Sequence, residues 1–289
     1  MKKLTLIFCA LVLCFGVSVA QDVQLPSNDN KVTVLQKGDA NKLDLAQDGS
    51  NNNARSESTG EGNQIILKQH GDGNMADSQI EGDQNRSTID QNGNKNTGLQ
   101  MIQADNVQAM ILQEGNNNTG NQILNASNSM AKIKQVGNDN LAIQRQDGFE
   151  NRSTLWQKGD NNVANSTQNG DNNTVRIDQH GDNNAANFQQ MGDSNTSMAG
   201  QVGNNNNLNV VQDGNNNVAG NADSKVRQQG DDNQLGVLQQ GNGNAFFGRQ
   251  MGNENMGNVI TRGNGNAVGL TQMGNQNMAT IKQGDKGNQ

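Results

Sequence analysis

The 289-residue chain has no tyrosine, a single proline (Pro26) and a single tryptophan (Trp156), and aromatic residues make up only 2% of it. That excludes a core built from large rings, which supply much of the area an ordinary globular domain buries. Cysteine is nearly absent as well: Cys9 and Cys14 both lie in the first twenty residues. There, Lys2 and Lys3 precede an apolar run over 4–17, and Ser18-Val19-Ala20 forms a small-x-small cleavage site. Residues 1–20 therefore read as a secretory signal peptide. Leu13 is too bulky to precede a lipidated cysteine, so no lipid anchor is expected at Cys14. The mature chain would begin at Gln21 without cysteine, and a secreted protein without disulfides must be held together by other means.

Long hydrophobic runs are also missing after residue 20, so no segment is expected to span a membrane. Removing Lys2 and Lys3 leaves 19 basic against 28 acidic residues, a net charge of −9. Nucleic-acid binding rests on neutralising phosphates, so no nucleic-acid partner is expected. His70 and His180 are the only histidines, and each follows a glutamine where a turn is expected. In the repeat described below they fall five coils apart, about 24 Å, too far to share a metal ion. With no mature cysteine and no histidine placed beside a serine nucleophile, the expectations are no enzyme, no cofactor and no metal site.

What remains is mainly asparagine, glutamine, glycine and aspartate, a composition that by itself suggests disorder. Periodicity overturns that reading. Glycine recurs every eleven residues, with one shift of five residues around 218–223. Such a short fixed period is the mark of a solenoid, in which each unit buries its face against its neighbours.

Sorting alternate units reveals a true repeat of 22. One series holds Gln47, Gln69, Gln91, Gln113, Gln135, Gln157, Gln179, Gln201, Gln228, Gln250 and Gln272. Two residues after each stands a glycine: Gly49, Gly71, Gly93, Gly115, Gly137, Gly159, Gly181, Gly203, Gly230, Gly252 and Gly274. Three residues further stands an asparagine: Asn52, Asn74, Asn96, Asn118, Asn140, Asn162, Asn184, Asn206, Asn233, Asn255 and Asn277. Every departure falls in the other series. Ser58, Ile80, Ile102, Leu124 and Thr261 replace its glutamine, Ala104, Ala126 and Asp285 its glycine, and Val107 and Ser129 its asparagine.

Between asparagine and the next glutamine, side chains alternate as in a strand, placing Asn63, Ile65, Leu67 and Gln69 on one face. The opposite series carries smaller residues there, at Ala54/Ser56, Ala76/Ser78, Gly98/Gln100 and Ala164/Ser166. Large side chains of one sheet should thus face small ones of the other. The glycine supplies the permissive backbone of a tight turn.

The expected fold is an all-β, two-sheet solenoid of strand-turn-strand-turn coils, about eleven to twelve of them, stacked to roughly 55 Å. A buried glutamine costs on the order of 2–7 kcal/mol if unpaired. Identical glutamines one coil above and below can pair as a ladder, and the asparagines should do the same. Ile80, Ile102 and Leu124 occupy consecutive coils of one column, so amides there are replaced as a block by side chains that stack without partners.

Units such as "STIDQNGNKNTG" (87–98) and "STLWQKGDNNVANSTQ" (153–168) resemble the curlin repeat. Ser153, Leu155, Gln157, Gly159, Asn162, Ala164 and Gln168 fill its pattern, and the resemblance runs over roughly residues 30–288. It implies a secreted subunit of bacterial surface amyloid fibres in biofilms, with itself as head-to-tail partner, a minor nucleator subunit and an outer-membrane secretion channel. Two features depart from the familiar pattern. The coils are about twice as many, and the leader "QDVQLPSNDN" lacks the glycine-rich stretch that addresses those curlins to their channel.

The expected organisation is a signal peptide (1–20), a short leader (21–30), the repeats (31–283) with a small insertion near 218–223, and a tail (284–289). Asp39, Glu61, Asp83 and Asp105 share one turn position in successive coils, either a cation-binding stripe or a solvated edge that discourages lateral association. Met75, Met191, Met251 and Met273 fall at outward or turn positions, and Trp156 points outward while Phe188 and Phe246 point in. The alternative to a fibre subunit is a monomeric adhesin rod that uses one flat face. A β-helix polysaccharide enzyme would need clustered carboxylates or basic residues in a groove beside long loops, and the only insertion is about five residues.

Overall fold

A computed structural model describes residues 21–24 and 29–284. The signal-peptide reading and all but the first residue of the tail lie outside them. Among the described residues there are 25 strands and no helix. The usual unit is a seven-residue strand followed by four turn residues, as in Arg152–Lys158 and Val163–Asn169. Seven residues of alternating pattern form the strand, and a left-handed glycine at the first turn position ends it.

Successive strands go to opposite sheets, and each pairs in parallel with the strand one coil away. Sheet one contains the uninterrupted glutamine series, with Gln135 opposite Gln157 and Gln157 opposite Gln179. Sheet two, from Lys31–Lys37 to Met278–Gly284, carries the variable series. Together they make about twelve coils, as the 22-residue period predicts.

The inward faces fall where alternation puts them. Asn63, Ile65, Leu67 and Gln69 are all buried, as are Asn173, Val175, Ile177 and Gln179. Bulk on one sheet is matched by space on the other. A methyl group added to Gly98 would sit 2.7 Å from Ile89 Cγ2, and one on Gly120 would sit 2.9 Å from Ile111 Cγ2. Further along, both sheets contribute bulk: Phe188 and Val210 of sheet two and Phe246 of sheet one are fully buried.

The turns are more demanding than tight bending alone requires. Gly137 has φ +125°, and a Cβ there would collide with the carbonyl of Gly159 in the next coil. Glycine is needed both for its dihedral and for the closeness of stacked turns. Two residues later the backbone is left-handed again, for example at Asn117 (φ 57°), Asp139 (φ 57°) and Asn161 (φ 58°). The enrichment of asparagine and aspartate there was the available signal, since these residues tolerate that region best.

Three local expectations change. Gln21–Gln24 pairs in parallel with Lys42–Asp48, Gln21 opposite Leu43, so the expected leader begins as the outermost strand of sheet one. An uncovered sheet edge offers unpaired backbone groups to any nearby extended segment. The insertion lies at 220–225 rather than 218–223. It splits one strand into Val218–Ala219 and Val226–Gln229, yet Ala219 stays opposite Ser197 and Val226 opposite Ala199. Six residues thus occupy the place of Met198, and Asn221 Oδ1 accepts the backbone N–H groups of Asp223 (3.1 Å) and Ser224 (2.8 Å) to close the excursion. Finally, His70 and His180 end strands (Gln64–His70 and Thr174–His180) instead of occupying turns.

Candidate functional site: stacked amide ladders

The series glutamines of sheet one, Gln47 through Gln272, are all buried and lie in one column. Each Nε2 donates to the Oε1 of the glutamine in the next coil, from Gln47 to Gln69 (2.7 Å) through Gln135 to Gln157 (3.0 Å) to Gln250 to Gln272 (2.8 Å). The excursion at 220–225 does not break the column, because Gln201 still reaches Gln228 at 2.9 Å. The second hydrogen of each amide goes across the molecule. Gln135 Nε2 reaches the Thr119 carbonyl at 2.9 Å and Gln179 Nε2 that of Val163 at 3.0 Å, each carbonyl beginning a strand of sheet two. One buried amide therefore links neighbouring coils and opposite sheets at once.

The asparagines act differently from a simple side-chain ladder. Asn118 Oδ1 accepts the backbone N–H of Asn140 (3.1 Å), and Asn118 Nδ2 donates to the Gly137 carbonyl (2.7 Å). The same pair of bonds recurs along the column, as at Asn52 with Asn74 and Gly71. Asparagine clamps the turn of the next coil by its backbone, and the amide-to-amide contact, such as Asn140 to Asn118 at 3.0 Å, comes in addition. Several glutamines complete the circuit by also donating to the asparagine carbonyl of their own turn, as Gln135 does to Asn140 (2.9 Å). Glutamine, glycine and asparagine thus form one bonded unit.

In sheet two the glutamine column is a partial ladder: Gln146, Gln168, Gln190, Gln212 and Gln239 are joined at 2.8–3.0 Å. Below it Ile80 stacks on Ile102 and Ile102 on Leu124, all buried. Where the apolar block meets the ladder, the Oε1 of Gln146 is buried without a hydrogen-bond partner. Gln47 Oε1, at the start of the sheet-one ladder, is in the same position.

A third ladder has no counterpart in the sequence reading, where Gln100 counted among the smaller core residues. Gln100 donates to Gln122 (2.8 Å) and Gln122 to Gln144 (2.7 Å), two positions away from Ile102 and Leu124 on the same strands. The amides are not lost from these coils but moved along the strand, with Gly98 and Gly120 beside them making room. A run of three glutamines at a spacing of 22 was the missed signal.

Turn carboxylates also take part. Asp83 Oδ1 accepts the backbone N–H of Glu61 (2.7 Å), and Asp105 Oδ1 that of Asp83 (2.8 Å). Each side chain thus bonds the turn of the preceding coil. Among the described residues no group of three or more His, Cys, Asp or Glu is placed to hold a metal ion. His70 Nδ1 lies 2.8 Å from Asp48 and is well exposed.

Two overlapping stretches, residues 170–203 and 181–214, match the family model of the curlin associated repeat. Residues 170–214 carry the curlin associated repeat. The matched stretch is narrower than the 30–288 over which the resemblance was read. It lies where both glutamine columns run unbroken, through Gln179 and Gln201 in one sheet and Gln190 and Gln212 in the other. The same coil register continues on both sides, through coils that carry Ile102 or Thr261. No curated protein matches the chain. No helix among the described residues is long and apolar enough to cross a membrane.

Proposed function

We propose that this curlin-repeat chain is a secreted structural subunit that polymerises head-to-tail into extracellular amyloid fibres of a biofilm matrix, where it serves adhesion and aggregation. The observation that carries the reading is the pair of sheet-two edges. Among the described residues, Lys31–Lys37 pairs only with Asn53–Thr59 on its inner side, and Met278–Gly284 only with Met256–Arg262. Both are parallel edges with the spacing of every internal junction, so one copy's last strand matches another's first. The strand Gln21–Gln24 supports the same junction, because it supplies the sheet-one strand of the incomplete first coil. A catalytic role has no support from the site, whose polar atoms are spent on one another. A nucleator subunit and an outer-membrane channel remain the partners that the family suggests.

Incubating purified mature chain at micromolar concentration should give unbranched fibrils that bind cross-β dyes, with reflections near 4.7 and 10 Å. Protein that stays monomeric for days without fibrils by electron microscopy would overturn the reading in favour of a solitary adhesin rod.

A further inference from the structure

Charge is sorted unevenly over the rod. The outer face of sheet one, from Met130–Val136 to Ala245–Met251, carries Lys132, Lys134, Arg152, Lys158, Arg227 and Arg249. None of these six makes an ion pair with a described residue. Arg176 and Lys225 share Asp178, the one carboxylate on the strands of this stretch, at 3.0 and 2.6 Å. Nearer the N-terminus the same face is mixed, and its charges pair between coils, as in Lys68 with Asp44 and His70 with Asp48. A chain with a net acidic charge has therefore gathered unpaired cations on one flat surface, a field that attracts anions well beyond contact distance.

Trp156 stands within this patch. Its ring meets His180 edge-on at 4.9 Å, and Lys134 Nζ lies 5.8 Å from its centroid. Beside it runs a shallow open groove of ≈ 540 Å³, parallel to the rod axis, lined by one column of stacked residues, Val136, Lys158, His180 and Val202, and by the turn glycines beside them. It spans four coils, about 14 Å.

We infer that this face binds a linear acidic polysaccharide, with its carboxylates on Lys134, Arg152 and Lys158 and its apolar sugar faces along the groove beside Trp156. Charge complementarity calls for an anion, and the Trp156 ring with Val136, Val202 and the turn glycines offers apolar surface to sugar ring faces. Charge density favours a uronic-acid chain over nucleic acid. Asp160 and Asp182 stand in the turns that border the groove, and duplex DNA carries one charge per about 1.7 Å of axis that would meet them. Single-stranded nucleic acid needs aromatic platforms in succession, whereas on this face Trp156 and the exposed Phe247 stand about four coils apart.

Trp156 is the chain's only tryptophan, so its fluorescence reports on the face directly. Polygalacturonate added to purified mature chain should change that emission saturably, more weakly as salt is raised, while neutral dextran does nothing. The combined variant Lys134→Gln, Arg152→Gln and Lys158→Gln should lose about tenfold in affinity. A sheet-two control, Lys31→Gln, Arg262→Gln and Lys282→Gln, removes the same charge and should bind normally. Equal loss in both variants, no loss in the first, or tighter binding of an oligothymidylate of matched charge would each overturn the assignment. Circular dichroism verifies that both variants fold. Titrating monomer and assembled chain separately keeps the result independent of whether fibres form.

Discussion

The two sheets are built from the same 22-residue unit, yet one tolerates no departure and the other many. In sheet one every coil from Gln47 to Gln272 contributes an amide, and the column is continuous. Sheet two interrupts its column with Ser58, Ile80, Ile102 and Leu124 and resumes at Gln146. The difference shows that a ladder behaves as a block. Its interior is satisfied on both sides, and its first rung leaves an unpaired acceptor, such as the orphaned Oε1 of Gln146, whereas the last rung, Gln239, donates to backbone carbonyls. Four of the five substitutions, Ser58 to Leu124, group in consecutive coils, because one long block has fewer ends than scattered replacements; the isolated one, Thr261, turns its own hydroxyl to the Leu238 carbonyl.

The largest expected effect tests the turns of the two series. Gly137→Ala places a methyl group against the Gly159 carbonyl from a left-handed backbone, which should cost more than about 3 kcal/mol or prevent folding. The reverse change in the other series, Ala104→Gly, should cost less than about 1 kcal/mol. Chemical denaturation of both variants checks this, and equal effects would mean that the series do not differ at their turns.

Next comes the apolar block. Ile102→Gln restores the repeat consensus but sets one amide between Ile80 and Leu124, where neither can pair with it. Lost apolar contact plus an incompletely bonded buried amide should cost about 2 kcal/mol. Changing Ile80, Ile102 and Leu124 together to glutamine should return much of this, since the run would join Gln146 and satisfy its Oε1. A harmless single change would count against the block principle.

Removing one rung comes third. Gln135→Ala deprives Gln113 of an acceptor and Gln157 of a donor, and frees the Thr119 carbonyl. The expected loss is about 1–3 kcal/mol, measured as a lower denaturation midpoint or slower fibril growth. Ser58→Ala, in a column position without a ladder, should change little. If both variants behave alike, the two sheets do not differ as described.

The smallest effect lies on the outer surface of sheet two. Burial pushes the Asp147 carboxyl upward, but hydrogen bonds from Arg145 and Asn125, together with the Arg145 charge, hold it below the usual aspartate range. Its contribution is present above the ordinary aspartate pKa and lost as pH falls through the lower folded value. Asp147→Asn should thus lower the denaturation midpoint slightly at pH 7 and leave it unchanged near pH 2.

Period, strand alternation and the inward set were all legible in the chain, because a two-residue strand repeat and an eleven-residue turn repeat leave one consistent assignment. Ile65, Leu67 and Gln69 had to share a face whatever the details of packing. The glutamine-to-glutamine spacing of 22 was equally visible, since residues in register stack by translation alone. What only the tertiary structure decided are the bonds between residues that are not in register. Gln135 to Thr119 spans 16 positions and Asn118 to Gly137 spans 19. Those partners depend on how far each coil rises between its two sheets, a stagger that no sequence spacing encodes. The docking of Gln21–Gln24 and the gathering of cations around Trp156 are decided the same way, by which strand edges and outer columns the coil brings side by side.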